Sequence, residues 1–514
     1  MVCSIDHIAS SAGLAMLRAG GSAADAAVAT SAVLAVTTQH MCGMGGDLWA
    51  LVHHTDGQAP AALNASGRAG SGADPDRLRS EGHTEMPFKG DIRTVPVPGC
   101  VDGWLSLLES YGRLPVAEVL APAIELADDG FAIGPQCAFA VQQLDGIAHT
   151  EDYFPGGANA RTGQLVKRAG IARALRAVVE GGRAAHYEGD FGAALIELGA
   201  GEYSAEDLAT SQAEWVTPLE TTAWGHRILT VPPASQGYLS LAAAYIASGL
   251  PLPEDPEDPA WVHLLIEAAK QAGYDRKDSL YDGADGAALL APERLDPRRD
   301  SISPTGVSVV PGGTNAGDTI YLCAVDDDRM GVSLIQSNAS GWGAMLFVPG
   351  FGISLHNRGL GFNLDPGHPA EYRAGNRPPH TLAPALIQTM DRSLRSVLGT
   401  MGGDTQPQIV LQMLARLLQA GQDPAAAISS GRFRLAGSEP TGFHTWAEPN
   451  QLTVEIEGHA SHGWSQGLSD IGHSVRESRS HDSGFGHAHL IEVQGEVLAG
   501  ASDPRAFTGG VAAY

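Results

Sequence analysis

Apolar residues recur at helical spacing through "SSAGLAMLRAGG" (residues 10–21) and again, with alanine at most positions, through "SAADAAVATSAVLAV" (22–36). The spacing predicts two helices. Ser10 or Ser11 caps the first and Gly20 with Gly21 ends it, while Ser22 and Asp25 open the second. Small residues around the whole second helix imply close packing against its neighbours. Helical patterns return in "PVAEVLAPAIELADDG", "GIARALRAVVEGG", "WVHLLIEAAKQAGYDRKDSLYD" and "PQIVLQMLARLLQAG". "HMCGMGGDLWALVHH" is a glycine loop running into a strand, and further strand patterns gather at residues 319–356, 396–399, 451–456 and 489–499. Helices are expected to dominate before Thr319 and strands after it.

The strand beginning at Thr319 raises a chemical question. The stretch "TGVSVVPGGTNAGD" is a polar, glycine-bearing approach to it, and "TIYLCAVD" alternates as a buried strand does. On these residues alone, Asn315, Gly317 and Asp318 form a turn, and Thr319 opens a strand because β-branched residues suit one. The other reading is a cut before Thr319, which would place a hydroxyl and a free α-amine on one residue. The chain of 514 residues buries a large core, and its length allows two or more domains. Its formal charge of -26 argues against nucleic acid or an anionic membrane as partner. Cys3, Cys42, Cys100, Cys137 and Cys323 are few and scattered, which fits a reducing cytoplasm better than a disulfide framework. No signal peptide is evident at "MVCSIDHIASSAGLAML", and no apolar run is long enough to span a bilayer.

Several stretches together resemble one family, the γ-glutamyltransferases of the N-terminal nucleophile hydrolase superfamily. They are "GLAMLRAGGSAADAAVA", "HMCGMGGD", "VPVPGCVDGW", "YGRLPVAEVLAPAIELADDGF", "VPPASQGYLSL", "HLLIEAAKQAGYDR", "GDTIYLCAVD", "GTMGGDTQPQIVLQML", "GRFRL" and "AGASDPR", in the family's order and over nearly the whole chain. The resemblance implies an α+β fold, the four-layer αββα sandwich. It also implies a precursor that cuts itself between Asp318 and Thr319, so that segments 1–318 and 319–514 remain together as a heterodimer. Thr319 becomes the nucleophile, with its own amine as base. Gly402 and Gly403 in "TMGGD" supply oxyanion donors, Ser337 in "LIQSNAS" hydrogen-bonds the nucleophile, and Arg68 in "NASGRAG" grips a substrate carboxylate with two parallel hydrogen bonds.

The sequence also departs from the family's transpeptidases. Ile320 and Tyr321 stand where those carry Thr and His, Gly361 in "HNRGLGFNL" stands where they carry the aspartate that binds the substrate's α-amine, and His380 and Thr381 in "RPPHTLAP" replace two substrate-binding serines. These departures look like the acylase and amidohydrolase branch, with cephalosporin (glutaryl) acylase-like and oxamate amidohydrolase-like members. The expected function is hydrolysis, or transfer, of a γ-glutamyl or related acyl group from a small amide that bears a carboxylate. The alternative outside enzymes is an uncleaved binding or scaffold protein. No cofactor and no metal are expected. "GMGGD" follows no strand, as a dinucleotide loop would, and the histidines of residues 459–489 match no usual zinc spacing and read as surface or packing residues.

Overall fold

The computed structural model describes residues 1–55, 58–310, 318–437, 445, 446 and 450–514, and the expected turn residues Asn315 and Gly317 lie outside them. Among the described residues two large antiparallel sheets form the centre, one of seven strands and one of six. The first runs Gly510–Ala512, Val2–Ser4, Asp318–Val325, Gly331–Ala339, Asp47–His53, Ala61–Ala65, Glu214–Val216. The second runs Val497–Ser502, Ala488–Gln494, Leu394–Thr400, Ala385–Gln388, His226–Thr230, Leu219–Ala223.

Three apolar clusters mark the three interfaces of a four-layer αββα sandwich. Between the sheets lie Trp49, Leu51, Tyr321, Cys323, Val325, Ile335, Leu386, Val397 and Ile491. The outer face of the first sheet, with Ile320, Leu322, Ala324, Val332 and Leu334, packs on helices Ala23–Thr37, Cys100–Tyr111 and Val116–Asp129. The outer face of the second, with Ile387, Leu398 and Leu490, packs on helices Tyr238–Ser248 and Gln406–Leu414, which Pro259–Gly273 backs. Period-two alternation along Asp318–Val325 thus sends Ile320, Leu322 and Ala324 to the helices and Tyr321, Cys323 and Val325 to the second sheet. Thr319 shares the inner face with Tyr321. The alanine-rich helix Ala23–Thr37 is buried at every position, as its small residues imply, and backs that strand from outside.

Ser22 and Asp25 form the expected capping box. The first helix instead begins earlier, at His7, capped by Asp6, whose Oδ1 accepts from the Ile8 N–H at 2.9 Å. Ser10 is not the cap because its hydroxyl lies against Ser4 Oγ at 2.7 Å and the Gly510 carbonyl at 2.9 Å, which ties the helix to the sheet edge. Helices do dominate before Thr319 and strands after it, but the earlier part also supplies strands to both sheets. Val2–Ser4, Asp47–His53, Ala61–Ala65 and three strands between Glu214 and Thr230 come from the earlier part. Short edge strands such as "EWV" carry too little alternation to be read locally. Segments 1–318 and 319–514 therefore both contribute strands to both sheets.

Gly399 fixes how closely the sheets approach: a Cβ there would lie 2.5 Å from Cε2 of Tyr321. Tyr321 in turn is held by a 3.0 Å hydrogen bond between its hydroxyl and Ser333. Gly399→Val is expected to lower stability by roughly 1–3 kcal/mol through overpacking, read as a lower urea midpoint at unchanged slope.

Candidate active site

Thr319 sits at the head of its strand, fully buried, and its Oγ1 lies 3.1 Å from Ser337 Oγ on the neighbouring strand. The two hydroxyls meet because the ladder slips there: Gln336 pairs with Ile320, but Ala339 pairs with Asp318, leaving one extra residue on the Ser337 strand. Such a bulge re-aims a side chain. The Ala339 N–H donates to Ser337 Oγ at 2.8 Å, and Asn338 is anchored through Nδ2 to the Gln39 carbonyl at 2.9 Å. Beneath them Gln336, on the opposite face, accepts from Ser31 Oγ at 2.8 Å and donates to the Ser31 carbonyl at 2.9 Å. The glycines of "GMGGD" are explained by this packing, since a Cβ on Gly46 would overlap the Ser337 carbonyl oxygen and one on Gly45 that of Ser354.

Gly402 and Gly403 follow the strand Leu394–Thr400 with φ of 130° and 57°, conformations that glycine adopts without strain. Among the described residues neither backbone N–H donates a hydrogen bond. The carbonyls are occupied: that of Gly402 accepts from the Thr405 N–H at 3.0 Å and that of Gly403 from Gln236 Nε2 at 2.8 Å. Gln236 Nε2 also donates to the Thr381 carbonyl at 3.0 Å and so binds the turn to the wall of an adjoining cavity.

That cavity, of about 70 Å³, is lined by Ala339, Asn357, Arg358, Gly361, Pro379 and Thr381 among others, with Arg276 and Lys277. Asp47 stands behind it. Its Oδ2 accepts from Arg358 Nε at 2.8 Å, His380 Nε2 at 2.9 Å and His356 Nδ1 at 3.2 Å. Burial opposes ionisation of Asp47, but the charge of Arg358 and the hydrogen bonds from His356 and His380 outweigh it and hold the carboxyl well below its ordinary value. His380 Nδ1 accepts from the Leu382 N–H, which leaves the ring proton on Nε2 facing Asp47. Burial first, then Arg358, lower the His380 pKa to about 4, so the imidazole is neutral at pH 7.

The two residues of "RPPHTLAP" therefore part company. Thr381 lines the cavity and accepts from Arg358 Nη1 at 2.9 Å, whereas His380 is fully buried against Trp49 and Asp47 and supports the wall from behind. Gly361 lines the cavity too, and a Cβ there would overlap the Pro379 carbonyl oxygen. The missing carboxylate is thus excluded by backbone packing. Arg68 lies apart, ion-paired with Glu214 at 3.2 Å, and it is not among the residues lining the cavity. Arg358, His356 and Gln236 are participants that the sequence does not single out; the arginine embedded in the apolar run "HNRGLGF" is the one local sign.

The histidines expected at the surface or in packing include one that joins a buried pair. His263 Nδ1 and His473 Nε2 are 2.8 Å apart, and with Glu267 they form a buried group in which one ligand atom from each residue lies within 4.8 Å of the others. Lys270 already meets Glu267 Oε1 at 3.0 Å, and the Ser308 N–H donates to Oε2 at 2.9 Å. The carboxylate is satisfied without an ion, so these residues fit packing better than metal binding.

A family model described as Gamma-glutamyltranspeptidase matches residues 9–514. The chain is 33% identical to the Glutathione hydrolase-like YwrD proenzyme of Bacillus subtilis, over 98% of this chain and 97% of that protein. It is also 33% identical to the Oxamate amidohydrolase proenzyme of Klebsiella pneumoniae, over 99% and 97%. Among solved structures, the cephalosporin acylase from Bacillus halodurans matches with a TM-score of 0.90 at 30% identity, covering 100% of this chain and 95% of that one.

Asp404, next after the glycine pair, is fully buried, with Arg276 Nη2 3.4 Å from its Oδ1. Burial raises its pKa from 3.8 to about 7, and Arg276 only partly opposes this. The folded state therefore holds a proton that the unfolded chain releases as pH rises from about 4 to 7, so this group lowers stability across that window and adds no slope outside it. Asp404→Asn should remove the slope. The stability difference, variant minus wild type, is expected to climb by up to roughly 4 kcal/mol between pH 4 and 7 in urea titrations.

Proposed function

The chain belongs to the γ-glutamyltranspeptidase family and is an amide hydrolase of the N-terminal nucleophile type, and from that premise we propose that it matures by self-cleavage at Thr319 and then works through a threonyl ester. In maturation Thr319 Oγ1 attacks the Asp318 carbonyl carbon, the peptide C–N bond breaks as the nitrogen takes a proton, and water hydrolyses the resulting ester. The products are a carboxylate at Asp318 and a free α-amine on Thr319. The shared strands of segments 1–318 and 319–514 support a heterodimer that stays assembled after the cut.

In turnover the Thr319 amine takes the hydroxyl proton as Oγ1 attacks the substrate carbonyl; α-amines of simple peptides titrate at about 7.7 to 8.0, so a large share is unprotonated near neutrality. Ser337 orients the hydroxyl, and the N–H groups of Gly402 and Gly403 receive the negative charge on oxygen, an interaction worth about 10²- to 10³-fold per donor. The leaving amine departs with the proton, and water, or a second amine, resolves the ester. The observation that carries this assignment is the 3.1 Å pairing of Thr319 and Ser337 at the head of a strand whose inner face meets the strand leading to the glycine turn.

The match to an acylase structure over the full chain supports the acylase and amidohydrolase branch, with a small carboxylate-bearing acyl amide as substrate. Thr381 on the cavity wall belongs to the substrate contact surface in this scheme, and His380 positions that wall through Asp47. The described residues contain no helix long and apolar enough to cross a membrane, and all five cysteines are free and buried, which supports the cytoplasm as the working compartment.

Thr319→Ala is expected to give a single uncut, folded and inactive chain on a denaturing gel. The wild type should give two, the smaller starting Thr-Ile-Tyr-Leu by Edman degradation. Another starting residue would remove Thr319 as the nucleophile. With no acid at Gly361, and with Asp47 and Asp404 fully buried and absent from the cavity lining, discrimination for an α-ammonium should be weak. Glutaryl-p-nitroanilide should be hydrolysed with kcat/KM within about tenfold of, or above, that of γ-glutamyl-p-nitroanilide. A strong γ-glutamyl preference abolished by Asp47→Asn or Asp404→Asn would reverse this assignment.

A further inference from the structure

Residues 303–310 lead toward the bond before Thr319, and they lie outside the helices and the two central sheets. One face of the helix Pro259–Gly273 holds them. His263, Glu267 and Lys270 stand at i, i+4 and i+7, one above another on that face, and all three are buried. His263 Nε2 donates to the Ser303 carbonyl at 2.8 Å, so its Nδ1 accepts from His473 Nε2. Glu267 Oε2 accepts from the Ser308 N–H at 2.9 Å, and Lys270 Nζ donates to the Ser308 carbonyl at 2.8 Å. Farther along, Asn450 brackets Val310 in the same way: its Oδ1 accepts from the Val310 N–H at 2.7 Å, and its Nδ2 donates to the Val310 carbonyl.

Every one of these bonds ends on backbone, so they fix the path of the chain rather than the packing of its side chains. Val309, between the two bracketed residues, is 87% exposed. Holding this surface segment takes a buried lysine and glutamate 3.0 Å apart, and such a pair contributes little net stability against its desolvation. An apolar pair of similar volume would cover the segment as stably. What only the polar set provides is a fixed position for the backbone. The same helix packs on Gln406–Leu414, the helix that follows the Gly402–Gly403 turn, and the chain beyond its end carries Arg276 and Lys277 into the cavity wall. Residues 303–310 are thus held by an element that also supports the site, and Val310 stands eight residues before Asp318.

We propose that His263, Glu267, Lys270 and Asn450 form a clamp that anchors residues 303–310 and so presents the Asp318–Thr319 bond to the Thr319 hydroxyl during self-cleavage. They are positioning residues for maturation and take no part in turnover. The assignment rests on Thr319 cutting its own chain, and it adds the side chains that prepare the uncut chain for that step. Attack requires Oγ1 to meet the Asp318 carbonyl carbon at a defined angle. The strand ladder fixes the chain from Asp318 onward, and the clamp fixes it upstream. With the clamp released, the nearest upstream element is the helix Pro292–Asp300, and the tether to Asp318 lengthens from roughly 8 to roughly 18 residues, which lowers the population of the closed geometry about threefold. Lost orientation adds to this, since a displacement of about 1 Å at reacting atoms costs up to about 100-fold.

The test reads cleavage rate, stability and turnover separately in two variants. Glu267→Leu with Lys270→Met replaces the buried pair by apolar side chains of similar volume, and Asn450→Ala removes the exposed bracket at Val310. Each full chain is made by cell-free translation and its conversion to two chains is followed on a denaturing gel. Urea midpoints are compared in the uncut Thr319→Ala background, and the matured proteins are assayed on glutaryl-p-nitroanilide. The half-time of cleavage is expected to lengthen about 3- to 100-fold in the double variant and about threefold in Asn450→Ala, with urea midpoints unchanged and kcat/KM within about twofold of wild type. Cleavage at the wild-type rate in both variants overturns the clamp while leaving Thr319 as the nucleophile. Slow cleavage accompanied by an equal loss of kcat/KM, or by a lowered urea midpoint in both variants, also overturns it, because the group then supports the fold at large. A wild type that stays uncut removes the Thr319 reading and the clamp with it. Should the double variant prove insoluble, the result with Asn450→Ala decides.

Discussion

The contact of Tyr321 with Gly399 sets the geometry on which the rest depends. Two sheets packed face to face leave room for one layer of side chains from each, and a ring as large as tyrosine fits only where the opposing strand has none. That match fixes the lateral position of the nucleophile strand against the strand Leu394–Thr400. Thr319 then lies two residues before Tyr321 on the same face, and the opposing strand runs on from Gly399 to the turn at Gly402 and Gly403. A slip of one residue would exchange Thr319 for Ile320 and turn the hydroxyl toward the helix layer. Placement of the candidate nucleophile is in this sense a consequence of core packing.

The second constraint is electrostatic and lies behind the site. Asp47, Arg358, His356 and His380 are buried together, an arrangement whose desolvation cost is offset only while all partners remain in place. Such a cluster contributes little net stability, but it removes rotational freedom from Arg358. With Nε on Asp47 and Nη1 on Thr381, the guanidinium plane has one orientation, and the direction of Nη2 is decided before any ligand arrives. Gln236 extends the same rigidity to the glycine turn through the carbonyls of Gly403 and Thr381.

Much of this was legible in the sequence where the signal is local or where the family resemblance carries it. The capping box at Ser22, the buried alanine helix and the long helix Pro259–Gly273 follow from spacing and composition. The pairing of Thr319 with Ser337 and the glycine turn were expected from the resemblance, and no pattern in the residues alone would have joined positions 18 apart. Short strands such as Val2–Ser4 and Glu214–Val216 escaped because three residues cannot show a period. The Asp47 cluster escaped for a different reason. It joins the head of a strand, the stretch that holds His356 and Arg358, and the loop of His380, and its members look unremarkable until the sheets bring them together. Arg68 was legible only through its motif, and its ion pair with Glu214 could not be read from the sequence.

The contrast between an acidic exterior and a cationic cavity shapes how an anionic substrate would be handled. At physiological ionic strength the Debye length is about 8 Å, so the surface charge of -26 acts mainly on the approach through solvent. At the cavity wall, the field of the buried Arg358 is screened less than that of a surface charge. An anionic group that reached the cavity would meet Arg358, Arg276 and Lys277 there, whereas the acidic exterior bears on encounter and departure.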